Sequence, residues 1–241
     1  MQFYHSTLLN SVTNVTHAFT TKESGNLAFH VNDKPINVEV NHTNLAKELH
    51  YDKYKLIHMK QIHSSDVHIV NDNDTFDNPP TCDALVSNKK NTPLMVMVAD
   101  CSPILFYDYK EEVIAVAHAG RQGAFKNIIQ NTINTMKSQY NSNATNIYVS
   151  IGPSIGQCCY EVGDEIYQEA STLGLEYSLE KRNTSYYLSV SKILEAQLLG
   201  SGVKKENFEI SKECTCCKSN KYYSYRAKAQ TGRFAGVIFL K

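Results

Sequence analysis

Cys101 and His118 are the two residues best placed for chemistry, because each lies at the end of an apolar segment. The segments Ile104–Tyr109 and Val113–Ala117 have the composition of buried strands, and the three polar residues between them predict a hairpin turn. In that register His118 lies opposite Pro103 or the residue after it. At about 3.3 Å per residue, the backbones of Cys101 and His118 are then roughly 7–10 Å apart. A thiolate and an imidazole at that separation can bind one metal ion.

His63 is a candidate third ligand, at the end of a predicted short strand over Lys55–His63. Together His63, Cys101 and His118 form an N,S,N donor set, which zinc binds tetrahedrally, with the fourth position open to water when the site is catalytic. The three residues are far apart in the sequence, which leaves a second interpretation open. In that interpretation Cys101 is a buried structural cysteine and the two histidines are unrelated.

The chain also offers residues for a substrate that is anionic, aromatic or both. Arg121 lies in a Gly-Arg-Gln-Gly loop before a predicted helix over Ala124–Tyr140, where free N–H groups attract anions and the guanidinium adds a charge. Tyr160, in a glycine-rich loop, can stack on a base, and Arg226 and Arg233 near the C-terminus can form a rim for an anionic or purine substrate. Each feature also has a plainer interpretation: a turn, a packed aromatic or a solvated arginine.

The other cysteines do not predict a second metal site. Cys214-Thr-Cys-Cys217 contains one C-x-x-C, and structural zinc normally needs a second ligand pair, for which only Cys158–Cys159 is present. We therefore expect a single zinc ion per chain and an unchanged zinc content in a Cys217→Ser variant. Seven cysteines, an odd number, favour a reducing cytoplasm over a disulfide scaffold, so the thiols are expected to stay reduced.

The composition bounds the class of protein. Lysine plus arginine equals aspartate plus glutamate at 24 each, so no attraction to nucleic acid or to an anionic membrane is expected. The apolar runs are too short to span a bilayer, and the first residues lack the pattern of a signal peptide. We expect a cytoplasmic monomer or homodimer with small-molecule partners. Interleaved helix and strand patterns without a linker predict one α+β domain over residues 1–241, with mixed sheets.

Motifs along most of the chain resemble the laccase-domain family of the YlmD/YfiH type, first called multicopper polyphenol oxidases. The matching motifs are Gln61-Ile-His63, Asp83-Ala-Leu-Val86, Ala99-Asp-Cys-x-Pro103, His118-Ala-Gly120, Gly152-Pro-Ser-Ile-Gly-x-Cys-Cys-Tyr-Glu-Val162, Cys214-Thr215, Tyr223-Ser-Tyr-Arg226 and Thr231-Gly-Arg233.

The resemblance implies an α/β sandwich similar to YfiH-like cysteine hydrolases, with zinc bound by His63, Cys101 and His118. It also implies a purine nucleoside phosphorylase that acts on adenosine, inosine, guanosine and S-methyl-5'-thioadenosine, and that deaminates adenosine. Where the family reads His-Ala-Gly-Trp-Arg-Gly, this chain has His-Ala-Gly-Arg-Gln-Gly, so the tryptophan is missing and the arginine is displaced by one position. This departure concerns substrate preference and phosphate affinity rather than the metal ligands.

The first functional hypothesis is therefore a zinc enzyme for purine nucleosides and phosphate. Arg121 and Arg233 would hold the phosphate that attacks the ribose, and in deamination a metal-activated water would attack the base. Asp100, which is adjacent to the candidate ligand Cys101, and Glu161 are the candidate proton carriers.

Other classes of function stay open. A metal-free cysteine hydrolase would use Cys101 as the nucleophile and His118 as the base. Copper-dependent polyphenol oxidation is disfavoured, because the nine histidines include no His-x-His pair to bridge coppers, although soft N,S ligands can take up copper in vitro. A non-catalytic partner-binding protein would leave the Cys/His set and the two glycine-rich loops unexplained.

Overall fold

The computed structural model describes all residues from Met1 to Lys241. Its strands are β1 (Phe3–Tyr4), β2 (Val15–Thr20), β3 (Val67–Ile69), β4 (Ala84–Ser87), β5 (Leu94–Val98), β6 (Ser102–Asp108), β7 (Val113–Ala119), β8 (Ile147–Ile151), β9 (Glu161–Val162), β10 (Leu179–Arg182), β11 (Ser185–Leu188), β12 (Phe208–Ile210) and β13 (Phe234–Leu240). Its α-helices are α1 (Thr7–Asn10), α2 (Pro35–Leu49), α3 (Arg121–Phe125), α4 (Ile128–Tyr140), α5 (Asp164–Thr172) and α6 (Val190–Gly200).

The strands form two main sheets that pack face to face. One sheet has the order β1-β2-β13-β5 and the other the order β12-β8-β6-β7-β4-β3, with parallel pairs at its two ends and antiparallel pairs between them. Helix α2 covers the outer face of the four-stranded sheet, and α3, α4 and α6 cover the outer face of the six-stranded sheet. The fold is thus an α/β sandwich with mixed sheets, as the sequence predicted.

The central strands are apolar throughout because both of their faces are buried. In β6, Ile104 and Phe106 face the helices, whereas Leu105 and Tyr107 face the other sheet. In the same way, Met95 of β5 faces α2 while its neighbours in the strand face the space between the sheets. Because successive side chains point to opposite faces of a strand, each central strand contributes to two core layers. One layer lies between the two sheets, and the others lie under the helices that cover each sheet.

The predicted hairpin is confirmed. Strands β6 and β7 pair antiparallel over their whole length, and Pro103 lies directly opposite His118. This register brings the start of β6, which directly follows Cys101, next to the end of β7, which carries His118.

Two local predictions are wrong. The segment Lys55–His63 forms only isolated bridges, Ile57 with Leu94 and Lys60 with Thr81, rather than a strand. The predicted helix over Ala124–Tyr140 is divided into α3 and α4, because Asn127 adopts the left-handed conformation with φ of 60°. No helix of the structure combines the length and the apolar character needed to cross a membrane.

Two buried histidines outside the candidate site are held in their neutral form. The Nε2 atom of His17 accepts a hydrogen bond from the backbone N–H of Ser6, which requires that this nitrogen carry no proton. His42 donates from Nε2 to the carbonyl of Leu27, and its buried Nδ1 has no partner. Burial lowers the pKa of each histidine from 6.5 to about 4.

We predict that the free energy of unfolding falls as the pH falls from 6.5 to 4. In this window the unfolded chain binds protons that the folded chain excludes, so stability rises with pH. Each histidine contributes at most about 1.4 kcal/mol per pH unit. In urea denaturation at several pH values, His42→Gln, which keeps a donor for Leu27, should show a smaller slope. An identical slope in the variant would contradict the assignment.

Candidate active site

The structure brings together the three residues of the predicted N,S,N set. One donor atom from each of His63, Cys101 and His118 lies within 4.8 Å of the others. The Cys101 Sγ atom is 3.9 Å from His63 Nε2, and tetrahedral zinc sets nitrogen and sulfur ligands about 3.6 Å apart. The chemistry of the donors and their separation therefore fit a metal ion of the zinc or copper type.

Each ligand comes from a different kind of local structure. His118 is on β7, Cys101 directly precedes β6, and His63 lies in a loop with φ of 59°. Gly120, two residues after His118, is required by close packing: a Cβ atom there would lie 2.9 Å from Cys101 Sγ and 3.1 Å from His63 Cδ2. The His-Ala-Gly motif thus keeps the space between the ligands free of side-chain atoms.

Asp83 organises the site without facing the candidate metal position. Its buried carboxylate accepts a hydrogen bond of 2.8 Å from His118 Nδ1, which leaves Nε2 of that ring free for a metal. The same carboxylate accepts backbone N–H bonds from Ile62, His63 and Ser64, and a further bond from the Ser64 hydroxyl. One side chain therefore fixes both the imidazole on β7 and the loop that carries His63.

The electrostatics of this group favour a thiolate. Burial opposes ionisation of Cys101, but the charge of His118 and hydrogen bonds from His118 and His63 lower its pKa to about 6. Burial also raises the pKa of Asp83, yet hydrogen bonds from His118 and Ser64 outweigh it and lower this pKa to about 2. The thiolate is the form of cysteine that binds metals and attacks electrophiles.

The ligands open into a cavity of about 450 Å³, which lies within the size range of small-molecule sites. Tyr160 lines it, as do Arg121, Arg226 and Arg233. The structure thus collects the predicted substrate residues Tyr160, Arg121 and Arg233 around the candidate metal ligands. The remaining charged side chain in the lining, apart from histidine and cysteine, is Asp100.

The three arginines are held by different partners. Arg121, the first residue of α3, forms an ion pair with Glu169 of α5. Arg226 donates to the carbonyls of Cys159 and Glu161, at 2.9 Å each, and its guanidinium lies over the Tyr160 ring.

The guanidinium of Arg233 donates from one nitrogen to the carbonyls of Thr231 and Gly232. Its remaining N–H groups make no hydrogen bond to the protein, so they are available to an anion in the cavity.

Asp100 is held in place by the protein itself. Its Oδ1 atom accepts a 2.6 Å bond from the Thr215 hydroxyl, and its Oδ2 atom accepts a 2.7 Å bond from the Arg226 backbone N–H. Its φ of 87° is strained for a residue other than glycine. These contacts connect the turn before β6 to the two C-terminal segments that carry Thr215 and Arg226.

The structure changes two assignments from the sequence. Glu161 is exposed, accepts bonds from Ser185 and Tyr187, and does not line the cavity, so it is not a proton carrier there. Asp83 was missed as a functional residue, although an acidic residue directly before a largely apolar strand was a usable signal. Arg226, which the sequence also offered as a rim residue for an anionic or purine substrate, lines the cavity with Arg233.

Comparison with known proteins places this geometry in a family. A family model described as multi-copper polyphenol oxidoreductase laccase matches residues 13–241. The purine nucleoside phosphorylase YlmD of Bacillus subtilis is 30% identical over 247 residues, which cover 94% of this chain and 89% of the relative. A purine nucleoside phosphorylase of Clostridium acetobutylicum is 33% identical, with 92% of this chain and 88% of the relative covered.

Solved structures confirm the fold. The hypothetical protein YfiH of Bacillus licheniformis superposes with a TM-score of 0.90 at 28% identity, covering 97% of this chain and 94% of that chain. YlmD from Geobacillus stearothermophilus superposes with a TM-score of 0.87 at 27% identity, covering 95% of this chain and 93% of that chain.

We predict that Asp83→Asn weakens metal binding at this site. The variant loses the charged acceptor for His118 and for the loop of His63, and loss of such a partner typically costs about 10–100-fold in metal affinity. A competition titration of the metal-free protein with Zn²⁺ measures the change. The exposed Asp66 provides a matched control, since Asp66→Asn should bind Zn²⁺ as the parent does. Equal affinity in the two variants would contradict this role for Asp83.

Proposed function

Since this chain belongs to the multi-copper polyphenol oxidoreductase laccase family, we propose that it is a purine nucleoside phosphorylase. The observation that supports this most is the composition of the cavity. A thiolate–imidazole donor set, a tyrosine and three arginines line one space large enough for a small molecule. A nucleoside phosphorylase must bind a planar base and an anion side by side, and an aromatic ring next to cationic side chains can do both. The relatives named purine nucleoside phosphorylases support the same reaction.

The metal of this site is proposed to be zinc, held by His63, Cys101 and His118. When bound, zinc supplies a Lewis acid next to the substrate. The set is unsuited to a multicopper oxidase, since only three donors converge and no His-x-His pair exists to bridge coppers. A single soft N,S site can nevertheless take up copper in vitro.

The roles of the side chains follow from their positions. The Tyr160 ring is proposed to stack on the purine, and its cation–π contact with Arg226 fixes the orientation of that platform. Arg233 and Arg121 are proposed to hold phosphate so that one of its oxygens attacks C1' of the ribose. The bond from C1' to the purine nitrogen breaks, and the purine leaves with its bonding electrons.

Asp100 is proposed as a positioning residue rather than a proton carrier. Both of its carboxylate oxygens are already occupied by Thr215 and by the backbone of Arg226. It therefore ties the turn before β6 to Thr215 and Arg226. The leaving purine nitrogen takes its proton from the monoprotonated attacking phosphate or from water.

The substrates are proposed to be adenosine, inosine, guanosine and S-methyl-5'-thioadenosine, and adenosine deamination is proposed as a second activity. The test is incubation of zinc-replete protein with each nucleoside, with and without phosphate. Release of free purine that depends on phosphate is expected, whereas conversion of adenosine to inosine should proceed without it. Cys101→Ser should lose both activities. Purine release that is independent of phosphate would indicate a hydrolase and contradict the proposal.

One observation favours a second candidate, a metal-free cysteine hydrolase. The Cys101 thiolate lies beside two imidazoles, the usual surroundings of a nucleophilic cysteine. Iodoacetamide distinguishes the two functions. A zinc ligand should be alkylated only after a chelator has removed the metal, whereas a free nucleophile should react at the same rate with and without the chelator.

We predict that Arg121→Ala raises KM for phosphate and leaves the zinc content unchanged. A charge-assisted contact of about 1.5–3 kcal/mol corresponds to roughly a tenfold to hundredfold loss in kcat/KM for phosphorolysis. Adenosine deamination needs no phosphate and should change much less. Because Glu169 pairs with this arginine, Glu169→Gln is the matched variant, and it should not raise KM for phosphate.

The outcomes separate three roles of Arg121. Equal losses in phosphorolysis and deamination would mean that the side chain shapes the cavity and does not hold phosphate. If neither activity changed, the displaced arginine would be a partner of Glu169 alone. Arg233→Ala would then be expected to carry the phosphate effect.

A further inference from the structure

Four cysteines outside the candidate active site converge on one point. The Sγ atoms of Cys158, Cys159, Cys214 and Cys217 all lie within 4.8 Å of one another. Cys217 Sγ is 3.3 Å from Cys159 Sγ and 3.6 Å from Cys158 Sγ. The sequence offered a C-x-x-C and a Cys-Cys pair 55 or more residues apart, and the fold supplies the missing proximity.

The proximity follows from backbone pairing. Ser154 and Cys214 form a parallel bridge, and the Thr215 N–H donates to the Ser154 carbonyl. These bonds align the segment before Cys158 with the start of the C-x-x-C. A Cβ atom at Gly156 would lie 3.1 Å from Cys158 Sγ and 3.2 Å from Cys214 Cβ, so the glycine allows the two segments to approach.

The sulfur positions suit a tetrahedral ion. Bonds of about 2.3 Å from zinc to four sulfurs separate those sulfurs by about 3.8 Å, close to the two distances above. A disulfide would require about 2.05 Å, and all seven cysteines are free in this structure. The backbone N–H of Gly156 also donates to Cys214 Sγ at 3.2 Å, a contact that stabilises a thiolate ligand.

We propose that Cys158, Cys159, Cys214 and Cys217 form a second, structural metal site that binds one Zn²⁺ through four thiolates. A site with four sulfur ligands is closed, since no position is left for substrate. Cys214 is buried and Cys158 and Cys217 are exposed, so the site lies at the protein surface and an ion can enter it from solvent. This proposal predicts that Cys217→Ser lowers the zinc content, the opposite of what the sequence alone led us to expect.

The site connects two segments of the cavity wall. Cys159 directly precedes Tyr160, and its carbonyl accepts the hydrogen bond from Arg226. Cys214 directly precedes Thr215, which donates to Asp100. An ion that ties Cys159 to Cys214 therefore fixes the aromatic platform relative to the carboxylate that anchors the other side of the cavity.

Metal analysis of a variant that lacks the first site isolates the second. In Cys101→Ala, native mass spectrometry should find one Zn²⁺ per chain, and in Cys101→Ala/Cys217→Ser it should find none. Cys101→Ala/Cys216→Ser is the matched control, because Cys216 lies in the same C-x-x-C but outside the cluster, and it should keep one ion. None of these measurements depends on enzymatic activity.

Replacement of the ion by Co²⁺ identifies its ligands. Cys101→Ala loaded with Co²⁺ should show the strong visible bands and sulfur-to-metal charge transfer of a tetrahedral thiolate site. If Cys217→Ser variants misfold, Cys101→Ala alone can be tested in place of the comparison of metal contents. Its bands should disappear when a chelator removes Co²⁺ and return when Co²⁺ is added again.

Several results would overturn the proposal. They are a metal-free Cys101→Ala in zinc-supplemented medium, a zinc content insensitive to Cys217→Ser, and a stoichiometric disulfide among these cysteines in protein alkylated at lysis.

Discussion

The buried carboxylate of Asp83 is the group on which the candidate active site depends. It accepts hydrogen bonds from the His118 ring and from the backbone of Ile62, His63 and Ser64. These donors belong to a central strand and to an irregular loop that share no ladder. A buried carboxylate without partners would be costly, so both must keep their positions while the chain is folded. The fixed arrangement of the candidate metal ligands is thereby coupled to the stability of the fold.

The layered architecture decides where such a site can form. Both faces of the two main sheets are covered, so side chains in the middle of the strands pack in the core. Polar side chains that could form a site therefore lie at the ends of the strands. The ends of β5 and β7 and the start of β6 meet at one edge of the sandwich. Val98, Ser102 and Ala119 mark that edge in the cavity lining. Segments from distant parts of the chain then close the remaining sides.

Much of this arrangement was predictable where local patterns decide the structure. The apolar runs and the polar turn predicted the hairpin, and its register placed His118 opposite Pro103. Contacts between distant segments leave no local signal in the sequence. His63 has a left-handed backbone conformation, and its N–H donates to Asp83, which is 20 residues away. The break at Asn127 was missed because the apolar period continues across it, and only a left-handed residue interrupts the helix.

The central proposal is that His63, Cys101 and His118 form a metal centre that faces a substrate cavity. Anomalous diffraction from crystals of zinc-replete protein, recorded at the zinc absorption edge, tests this most directly. We expect a peak within bonding distance of Cys101 Sγ and of the Nε2 atoms of both histidines. A map without that peak, in which the Cys101 thiolate and the His118 ring contact each other directly, would contradict it.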